Sequence, residues 1–404
     1  MMKWGREAQK RLQAIAEVSE PGPGVTRFPF TPEHSRARDM IAGWMTDAGM
    51  KVQLDTATTL IGRREGPKGA PTFLIGSHQD SVRSGGAYDG IMGIALGCLA
   101  VEKLAANHVD LPFAVEVLAF ADEEGVRFPT ALLGPRALAG TWDPAVLEMT
   151  DRADIRLADA LDAAGGSSAA LARLARAPGD VLGYLEAHIE QGPVLEVQDQ
   201  AIGVVTGICG IERNTVTISG QTGHAGTVPM EMRADALVTA ARLIADVEAL
   251  ARETEGVLAT VGCIDCAPNV VNAIPSRCSL TIEIRSADDD ARQSFSMRVI
   301  EVANKLAKDR STPVALAKTY EQNASACDPR LVGKLHGAAK NLAPDAPLFP
   351  SGATHDASAM ADLCPIAMLF VRCKGGISHS PDEYASAEDM GVAVEVMAGF
   401  LADL

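Results

Sequence analysis

Apolar runs alternate with helical patterns along the chain, as in α/β domains that are built on a mainly parallel sheet. Three of the runs, Thr72–Gly76, Ala114–Ala121 and Ile366–Val371, contain almost no polar residues. Strands have this composition when both faces of their sheet are covered. Helical patterns lie between them, at Thr31–Ala48 and Met92–Ala106. The sequence therefore predicts an α/β fold with a doubly wound, mainly parallel sheet.

The pattern changes between about residues 210 and 326. Asn214–Gly220 and Ser279–Arg285 alternate polar with apolar residues, which is typical of strands with one face in water. Helical patterns at Met232–Glu253 and Asp290–Asp309 accompany these strands. This part of the chain is therefore expected to form a smaller α+β domain.

The length of the chain agrees with more than one domain. At about 150 residues per domain, 404 residues suggest two or three domains. Together with the change of pattern, this length predicts one main domain formed by residues 1–209 and 327–404. The α+β domain at 210–326 is inserted between its two halves.

Charge and composition exclude several classes of function. Lys and Arg number 36 against 52 Asp and Glu, a net charge of −16. The resulting surface repels phosphate backbones and anionic membranes, so we expect neither nucleic acid nor membrane as a partner. Aromatic residues make up only 4% of the chain, which disfavours a base-stacking platform.

No targeting or membrane segment is apparent. Residues 1–18 have no apolar core of the kind found in secretory signals, and the longest apolar stretch, Ile91–Val101, is shorter than the about 20 residues that span a bilayer. Without a signal, the eight cysteines are expected to be reduced thiols. A cytoplasmic location is the resulting prediction.

The first candidate site residues follow a predicted strand. His78 and Asp80 in GSHQDSV lie just past its carboxyl end, where open α/β sheets bind ligands. Such spacing suits a metal ligand and a carboxylate that orients it. Asp89, in GGAYDG, lies in a glycine-flanked turn, which would let a carboxylate approach a cation. The alternative interpretation is a polar loop in which Asp89 caps the next helix.

Asp122, Glu123 and Glu124 directly follow the second apolar strand. Adjacent carboxylates at the end of a buried strand repel each other unless a cation neutralises them. One of them can bind a metal while its neighbour serves as a general base toward water. An acidic surface turn is the alternative, but the position at a strand end favours a functional role.

Two further histidines complete a possible ligand set. His188 lies in the alternating segment YLEAHIEQG, and His379 lies in the loop GGISHSPD after another predicted strand. A single histidine is more often an ordinary polar residue than a ligand. Taken together with the residues above, however, they offer the nitrogen and oxygen atoms that zinc and manganese prefer.

Six motifs in this order resemble the hydantoinase/carbamoylase branch of the dinuclear-metal peptidase and amidohydrolase superfamily. They are GSHQDSV, GGAYDG, FADEEGVRF, EAHIEQGP, GHAGTVPM and ISHSPDE. Members of this branch include N-carbamoyl-L-amino-acid hydrolases and allantoate amidohydrolases. The resemblance covers nearly the whole chain and implies a di-metal catalytic domain with a lid and dimerisation domain at 210–326.

The resemblance also implies the ligands of two divalent ions, zinc or manganese with cobalt as a further possibility. His78, Asp89 and His188 would hold one ion, and Asp89, Glu124 and His379 would hold the other. Asp89 is thereby expected to bridge the two ions.

Catalytic roles follow from the same resemblance. Glu123 would be the general base, and Asp80 would orient a metal-binding histidine. His224, supplied across a homodimer, would polarise the scissile carbonyl, a form of oxyanion stabilisation. The substrate would be a small carboxylate-bearing ureido or amide compound.

Four further residues are expected to contact that substrate. They are Gln191, Asn272, Arg285 and Thr354. A guanidinium such as that of Arg285 binds a carboxylate with two parallel hydrogen bonds. Without the resemblance, a salt bridge at the end of a strand would be the preferred interpretation of Arg285.

Two positions depart from the family pattern. Relatives place a cation on the substrate side at the position of Glu212, so a carboxylate is expected there instead. The neighbouring Arg213 should face the other way on the strand. Thr354 replaces a glycine whose backbone would contact the substrate. Cys263 and Cys266 have the spacing of a metal or redox motif, but no second pair accompanies them, so they are interpreted as structural cysteines.

The sequence therefore predicts a metal-dependent hydrolase of carbon–nitrogen bonds other than peptide bonds, acting on an N-carbamoyl amino acid or an allantoate-type ureido acid. An N-acyl-amino-acid deacylase or dipeptidase with the same site is the first alternative. The second is a binding protein that kept the fold and lost catalysis. Such a binding protein would be expected to lack one of the metal ligands or the general base, and this sequence contains all of these residues.

Overall fold

The computed structural model describes residues 1–404, which form two compact units. The first consists of Met1–Thr206 and Ala326–Leu404, and the second of Gly207–Ser325. The assignment of catalytic and lid roles to the two parts stays a prediction. None of the helices is long and apolar enough to cross a membrane.

Thirteen strands form two sheets. They are β1 (Lys51–Leu54), β2 (Leu60–Arg64), β3 (Thr72–His78), β4 (Ala114–Phe120), β5 (Val181–Ile189), β6 (Ile202–Ile208), β7 (Gly210–Ser219), β8 (Val257–Ala267), β9 (Arg277–Ser286), β10 (Val314–Gln322), β11 (Ser325–Ala326), β12 (Leu348–Ser351) and β13 (Ile366–Val371).

Eleven α-helices accompany the strands. They are α1 (Met2–Ala16), α2 (Pro32–Asp47), α3 (Ile91–Ala106), α4 (Leu133–Ala139), α5 (Leu157–Ala163), α6 (Val194–Val197), α7 (Ala236–Arg252), α8 (Asp289–Arg310), α9 (Pro329–Lys340), α10 (Asp356–Met360) and α11 (Ala387–Ala402).

The larger sheet has a parallel centre. Its strand order is β1-β2-β4-β3-β5-β13-β6-β11, with β12 also paired to β6. The four central strands, β4, β3, β5 and β13, run parallel, whereas β1, β2 and β6 pair antiparallel to their neighbours. The carboxyl ends of the four central strands therefore meet at one edge, where open α/β sheets bind ligands.

Helix α3 is almost entirely buried, which explains its nearly uninterrupted apolar sequence. A Cβ added at Gly93 would lie 2.2 Å from the carbonyl oxygen of Ala187 on β5, so glycine permits close packing of α3 on the sheet. Helices α1 and α11 pack against α3 within the same core. These contacts anchor the loop that precedes α3.

The smaller unit contains a four-stranded antiparallel sheet in the order β10-β7-β9-β8. Helices α7 and α8 cover one face, and the core beneath them includes Ile218, Leu243, Ile282 and Phe295. Strand β9 alternates buried and half-buried residues, as its sequence predicted. Asp235 and Asp288 cap the two helices by accepting hydrogen bonds from backbone N–H groups of the first turn.

The predicted fold class is confirmed, and the three apolar runs are strands of the parallel centre. The antiparallel strands at the sides of the larger sheet were not predicted. β1 and β2 are short and β6 belongs to a continuous β-rich segment, so periodicity gave no sign of their direction.

Candidate metal and catalytic site

Five loops or strand ends at the carboxyl edge of the parallel sheet carry the predicted ligands. His78 is the last residue of β3, and His188 lies next to the last residue of β5. Glu124 follows β4, and His379 lies in the loop after β13. Asp89 precedes α3. The fold thus brings together residues that are up to 301 positions apart in the sequence.

Asp89 lies at the centre of this group, and its two carboxylate oxygens face different histidines. Oδ1 is 3.1 Å from Nε2 of His188 and 3.6 Å from Nε2 of His78. Oδ2 is 3.2 Å from Nε2 of His379, whose ring is also 3.8 Å from Glu124. Asp89 therefore joins two ligand groups through one carboxylate.

The site depends on close backbone approach at Gly90. Its φ is +65°, and an added Cβ would lie 2.4 Å from the ring of His78. No other residue type leaves room for that ring in this position. The glycine expected to let Asp89 approach a cation therefore also makes space for a neighbouring ligand.

Asp80 connects the ends of β3 and β4. Its Oδ1 accepts a hydrogen bond from the backbone N–H of Glu123 at 3.1 Å, and Oδ2 accepts one from Glu124 at 3.2 Å. The Nδ1 atom of His78 is 3.1 Å from the carbonyl oxygen of Asp80 and 3.5 Å from its carboxylate. Asp80 is thus placed to orient one histidine and both adjacent glutamates.

Several carboxylates in this region have no hydrogen-bond partner. Both side-chain oxygens of Asp122 and of Asp356 are buried without one, and so is Oε1 of Glu124. Burial, with a contribution from Asp89, raises the pKa of Glu124 to about 7. Burial likewise raises the pKa of Glu123 well above its ordinary value, although His78 acts in the opposite direction.

The pKa of Asp89 shifts in the opposite direction. Burial alone would raise the pKa of this carboxyl, but hydrogen bonds from His188, His379 and His78 bring it well below its usual range. Asp89 is therefore the member of the group that stays ionised, as a carboxylate shared by two cations must be.

The donor atoms fit a metal centre. His78, Asp89 and His188 form one group with ligand atoms within 4.8 Å of one another, and Asp89, Glu124 and His379 form a second. Nitrogen and carboxylate oxygen donors suit zinc and manganese. The unpartnered Glu124 oxygen is the kind of atom that a cation would satisfy.

Three further residues hold Asp89 in place through hydrogen bonds. The sequence predicted a different role for one of them, Gln191, and gave no role to the other two. Gln191, expected to contact substrate, donates from Nε2 to Oδ2 of Asp89 at 3.0 Å, and the Ser378 hydroxyl donates to the same oxygen at 3.1 Å. Glu383 accepts from the backbone N–H of Asp89 at 3.0 Å, and its other carboxylate oxygen lies 3.0 Å from the Ser378 oxygen. Glu383 lies within the motif ISHSPDE, which is the only sequence signal that could have found it.

His355 is a further buried histidine behind the site. Its ring packs edge-on against His188 at 4.5 Å between centroids, and its Nε2 is 2.7 Å from the Ser351 hydroxyl. Burial and the neighbouring His188 lower its pKa well below the usual range. His355 is therefore a neutral packing partner of His188. Thr354, beside it, is half-buried.

The other predicted substrate residues belong to the second unit. His224 and Asn272 lie in neighbouring exposed segments that are joined by a hydrogen bond from the Ala225 N–H to the Asn272 carbonyl at 3.0 Å. Arg285 lies near the end of β9 and donates from Nε and Nη2 to Glu283 at 2.8 and 2.7 Å. This structure therefore contains the ion pair on a strand that was the alternative interpretation of Arg285.

The expectation that Glu212 faces the substrate is wrong. Its carboxylate is buried under α8, where it accepts hydrogen bonds from Asn214 at 2.7 Å, from Arg292 at 3.2 Å and from Ser296. Arg213 faces the opposite side of β7, as predicted, and pairs with Glu283. Glu212 therefore fills an internal ion pair and gives no information on the substrate.

A model of peptidase family M20/M25/M40 matches residues 74–403. The chain belongs to this family. Two curated relatives of this chain are an N-carbamoyl-L-amino acid amidohydrolase of Geobacillus stearothermophilus and an allantoate deiminase of Arabidopsis thaliana. The first is 39% identical over 97% of this chain and 97% of its own length, and the second is 38% identical over 98% and 81%.

A solved structure agrees with this assignment. An amidase of the hydantoinase/carbamoylase family from Burkholderia multivorans superposes with a TM-score of 0.92 at 30% identity, covering 99% of this chain and 97% of its own. The resemblance to the hydantoinase/carbamoylase branch is thereby confirmed. This M20 member is accordingly a hydrolase of the amidohydrolase type.

The raised pKa of Glu124 predicts a specific pH dependence in the metal-free M20 protein. The folded state keeps this proton up to about pH 7, whereas the unfolded chain loses it near 4.5, so ionisation destabilises the fold as pH rises through this window. At about 1.4 kcal/mol per pKa unit, the stability of the wild type should fall by about 3 kcal/mol relative to Glu124→Gln. Urea unfolding of both proteins across this pH range measures the difference.

Glu148→Gln, at a glutamate whose side chain is 71% exposed, is the control and should run parallel to the wild type. Parallel curves for wild type and Glu124→Gln would show that Glu124 ionises normally in the folded chain.

Proposed function

We propose that this protein hydrolyses the linear carbon–nitrogen bond of a small ureido acid, in a site that holds two divalent metal ions. The observation that carries the proposal is Asp89, whose two oxygens face separate groups of histidines. The names of the amidohydrolase and deiminase relatives support the bond and the substrate class.

In this proposal His78, Asp89 and His188 hold one ion, and Asp89, Glu124 and His379 hold the other. When bound, the two ions, zinc or manganese with cobalt as a further possibility, supply the Lewis acidity that polarises the scissile carbonyl and acidifies a water molecule. Asp80 orients His78, and Gln191 and Ser378 hold Oδ2 of Asp89 through hydrogen bonds of 3.0 and 3.1 Å.

Glu123 is the proposed general base. Its backbone is held by Asp80, and its carboxylate lies within 4.8 Å of ligand atoms of His78 and Glu124. Burial raises the pKa of this carboxyl, and a raised pKa makes its carboxylate a stronger proton acceptor toward water. The same side chain acts first as base and then as acid.

His224 is proposed to stabilise the oxyanion that forms at the attacked carbonyl. Its Nδ1 accepts a hydrogen bond from the backbone N–H of Gly226 at 3.1 Å. This contact places the imidazole proton on Nε2, so that Nε2 can donate to a developing negative charge. We propose that a second copy of the chain supplies this residue, in a homodimer located in the cytoplasm.

The substrate carboxylate is proposed to bind Arg285, with Asn272 and Thr354 contacting the remaining polar groups. In the structure Arg285 donates hydrogen bonds from Nε and Nη2 to the Glu283 carboxylate, which supports a role in carboxylate binding. A substrate anion in the same plane would form the two parallel hydrogen bonds that arginine favours.

Ammonia release tests the reaction class. Metal-stripped protein is reloaded with manganese or zinc and incubated with allantoate, N-carbamoyl-L-amino acids and N-carbamoyl-β-alanine. Metal-dependent ammonia from at least one ureido acid is the expected result. Amine release from N-acetyl amino acids without ammonia would replace the proposal with a deacylase, for which Thr354 is the first residue to examine. No turnover of any compound would favour the binding-protein alternative.

Replacing Glu123 with glutamine should remove the proton acceptor while the ligands stay in place. We expect Glu123→Gln to keep the metal content of the wild type and to lose about 10²–10⁴-fold in kcat. Elemental analysis and steady-state kinetics on the same preparation measure both quantities. The surface variant Glu148→Gln is the matched control. Undiminished turnover in Glu123→Gln would exclude the proposed base.

Replacing His224 with alanine should affect turnover without affecting the metals. The loss of one oxyanion donor predicts a fall of about 10²–10³-fold in kcat for His224→Ala, with unchanged metal content and melting temperature. His336→Ala, on α9 of the other unit, provides a histidine control. A normal rate in His224→Ala would remove the oxyanion contact from the mechanism.

A further inference from the structure

The Cys-x-x-Cys sequence of the second unit is not a pair of adjacent thiols. Cys263 and Cys266 both lie on β8, and the three residue steps of extended strand between them span about 10 Å. Residues three apart on a strand point to opposite faces. Cys263 is exposed, whereas Cys266 is partly buried against the core of the second unit.

The thiol that faces Cys266 belongs to another strand. Cys266 and Cys278 are direct partners in the antiparallel register of β8 and β9, so their side chains lie on the same face of the sheet. Both contact the core under α7 and α8, and Cys278 is fully buried there. Opposed residues in such a ladder have Cα atoms about 4.5–5.5 Å apart, within the range of about 4.4–6.8 Å found in disulfides.

We propose that Cys266 and Cys278 form a dithiol that hydrogen peroxide converts reversibly to a disulfide. This would be a modification site in the second unit, separate from the residues assigned to metal binding. Cys263, despite its motif, takes no part in the bond.

The two thiols have different parts in the reaction. Cys266 is the accessible one, and burial, together with Cys266 and Asp265, raises the pKa of Cys278. The Cys266 thiolate therefore attacks peroxide first, breaking the O–O bond to give a sulfenic acid and hydroxide, which becomes water on protonation. The Cys278 sulfur then attacks the Cys266 sulfur and expels the sulfenic oxygen, which leaves as a second water after taking up the Cys278 proton.

The pair stands at the base of the loop that carries Asn272. Ala225 donates from its N–H to the Asn272 carbonyl, and Ile274 donates to the Gly223 carbonyl at 2.8 Å. His224 itself pairs with Ala273 as an isolated bridge. The segment between the two cysteines is therefore connected by backbone hydrogen bonds to the segment that holds His224.

Formation of the disulfide would strain the two strand ends from which this loop begins. Opposed Cβ atoms in an antiparallel sheet lie about 4.5–5.5 Å apart, whereas a disulfide needs about 3.5–4.5 Å. The strands must therefore approach by about 1 Å, and the loop that follows must adjust. A strained disulfide is also easily reduced, so the modification should be reversible under mild conditions.

Peptide mapping of the full metal-loaded chain tests the bond. After peroxide treatment and alkylation of free thiols, trypsin cuts after Arg252, Arg277 and Arg285. The expected product joins peptides 253–277 and 278–285, with a mass two hydrogens below the sum of the two peptides when Cys263 is alkylated. It should persist in Cys263→Ser, disappear in Cys266→Ser, and separate on treatment with dithiothreitol.

A link through Cys263, or oxidation of Cys266 to the sulfinic acid with Cys278 still open to alkylation after unfolding, would overturn the proposal. These readouts need no substrate, so they stand independently of the proposed function.

The effect on catalysis rests on the roles proposed for His224 and Asn272. Oxidation should lower turnover of the ureido acid in the wild type and in Cys263→Ser, with recovery on reduction, and should leave Cys266→Ser unaffected. An oxidised, fully cross-linked wild type with unchanged kcat and KM would refute the coupling between the disulfide and the loop.

Discussion

Repulsion among buried carboxylates is the constraint on which the site depends. Asp122, Asp356 and Glu124 all keep at least one buried oxygen without a hydrogen-bond partner. Such an arrangement costs free energy unless positive charge compensates it. The histidines around Asp89 compensate only part of it, and two cations at the same place would supply the rest. The arrangement that makes the metal-free site unstable is therefore what would give it affinity for metal.

The fold holds these groups together because their positions are set by buried strands. Strands β3, β4, β5 and β13 are parallel neighbours, so their carboxyl ends present His78, Glu124, His188 and the loop of His379 at a single edge. The buried helix α3 anchors Asp89 from the other side. Each ligand thus comes from a different element, and the packing of the core maintains their distances.

The part of this site that could be predicted from the sequence consists of polar residues that directly follow apolar strands. The identity and order of the motifs also indicated the family. The direction of side chains on strands with alternating polar and apolar residues was harder to predict. The alternation is compatible with Glu212 on either face of the sheet, and only the tertiary contact with Arg292 on α8 decides which face it takes. The hydrogen bond between Glu383 and Asp89 and the pairing of Cys266 with Cys278 across two strands depend on tertiary neighbours, which no spacing along the chain reveals.

The most direct test of the account is a titration of the metal-stripped chain with manganese or zinc, followed by calorimetry and elemental analysis. We expect two ions to bind per chain. Asp89→Asn should weaken the binding of both ions, because that carboxylate belongs to both groups of ligands. Two ions bound with unchanged affinity by Asp89→Asn, or no stoichiometric binding by the wild type, would contradict the claim that Asp89 bridges a dinuclear centre.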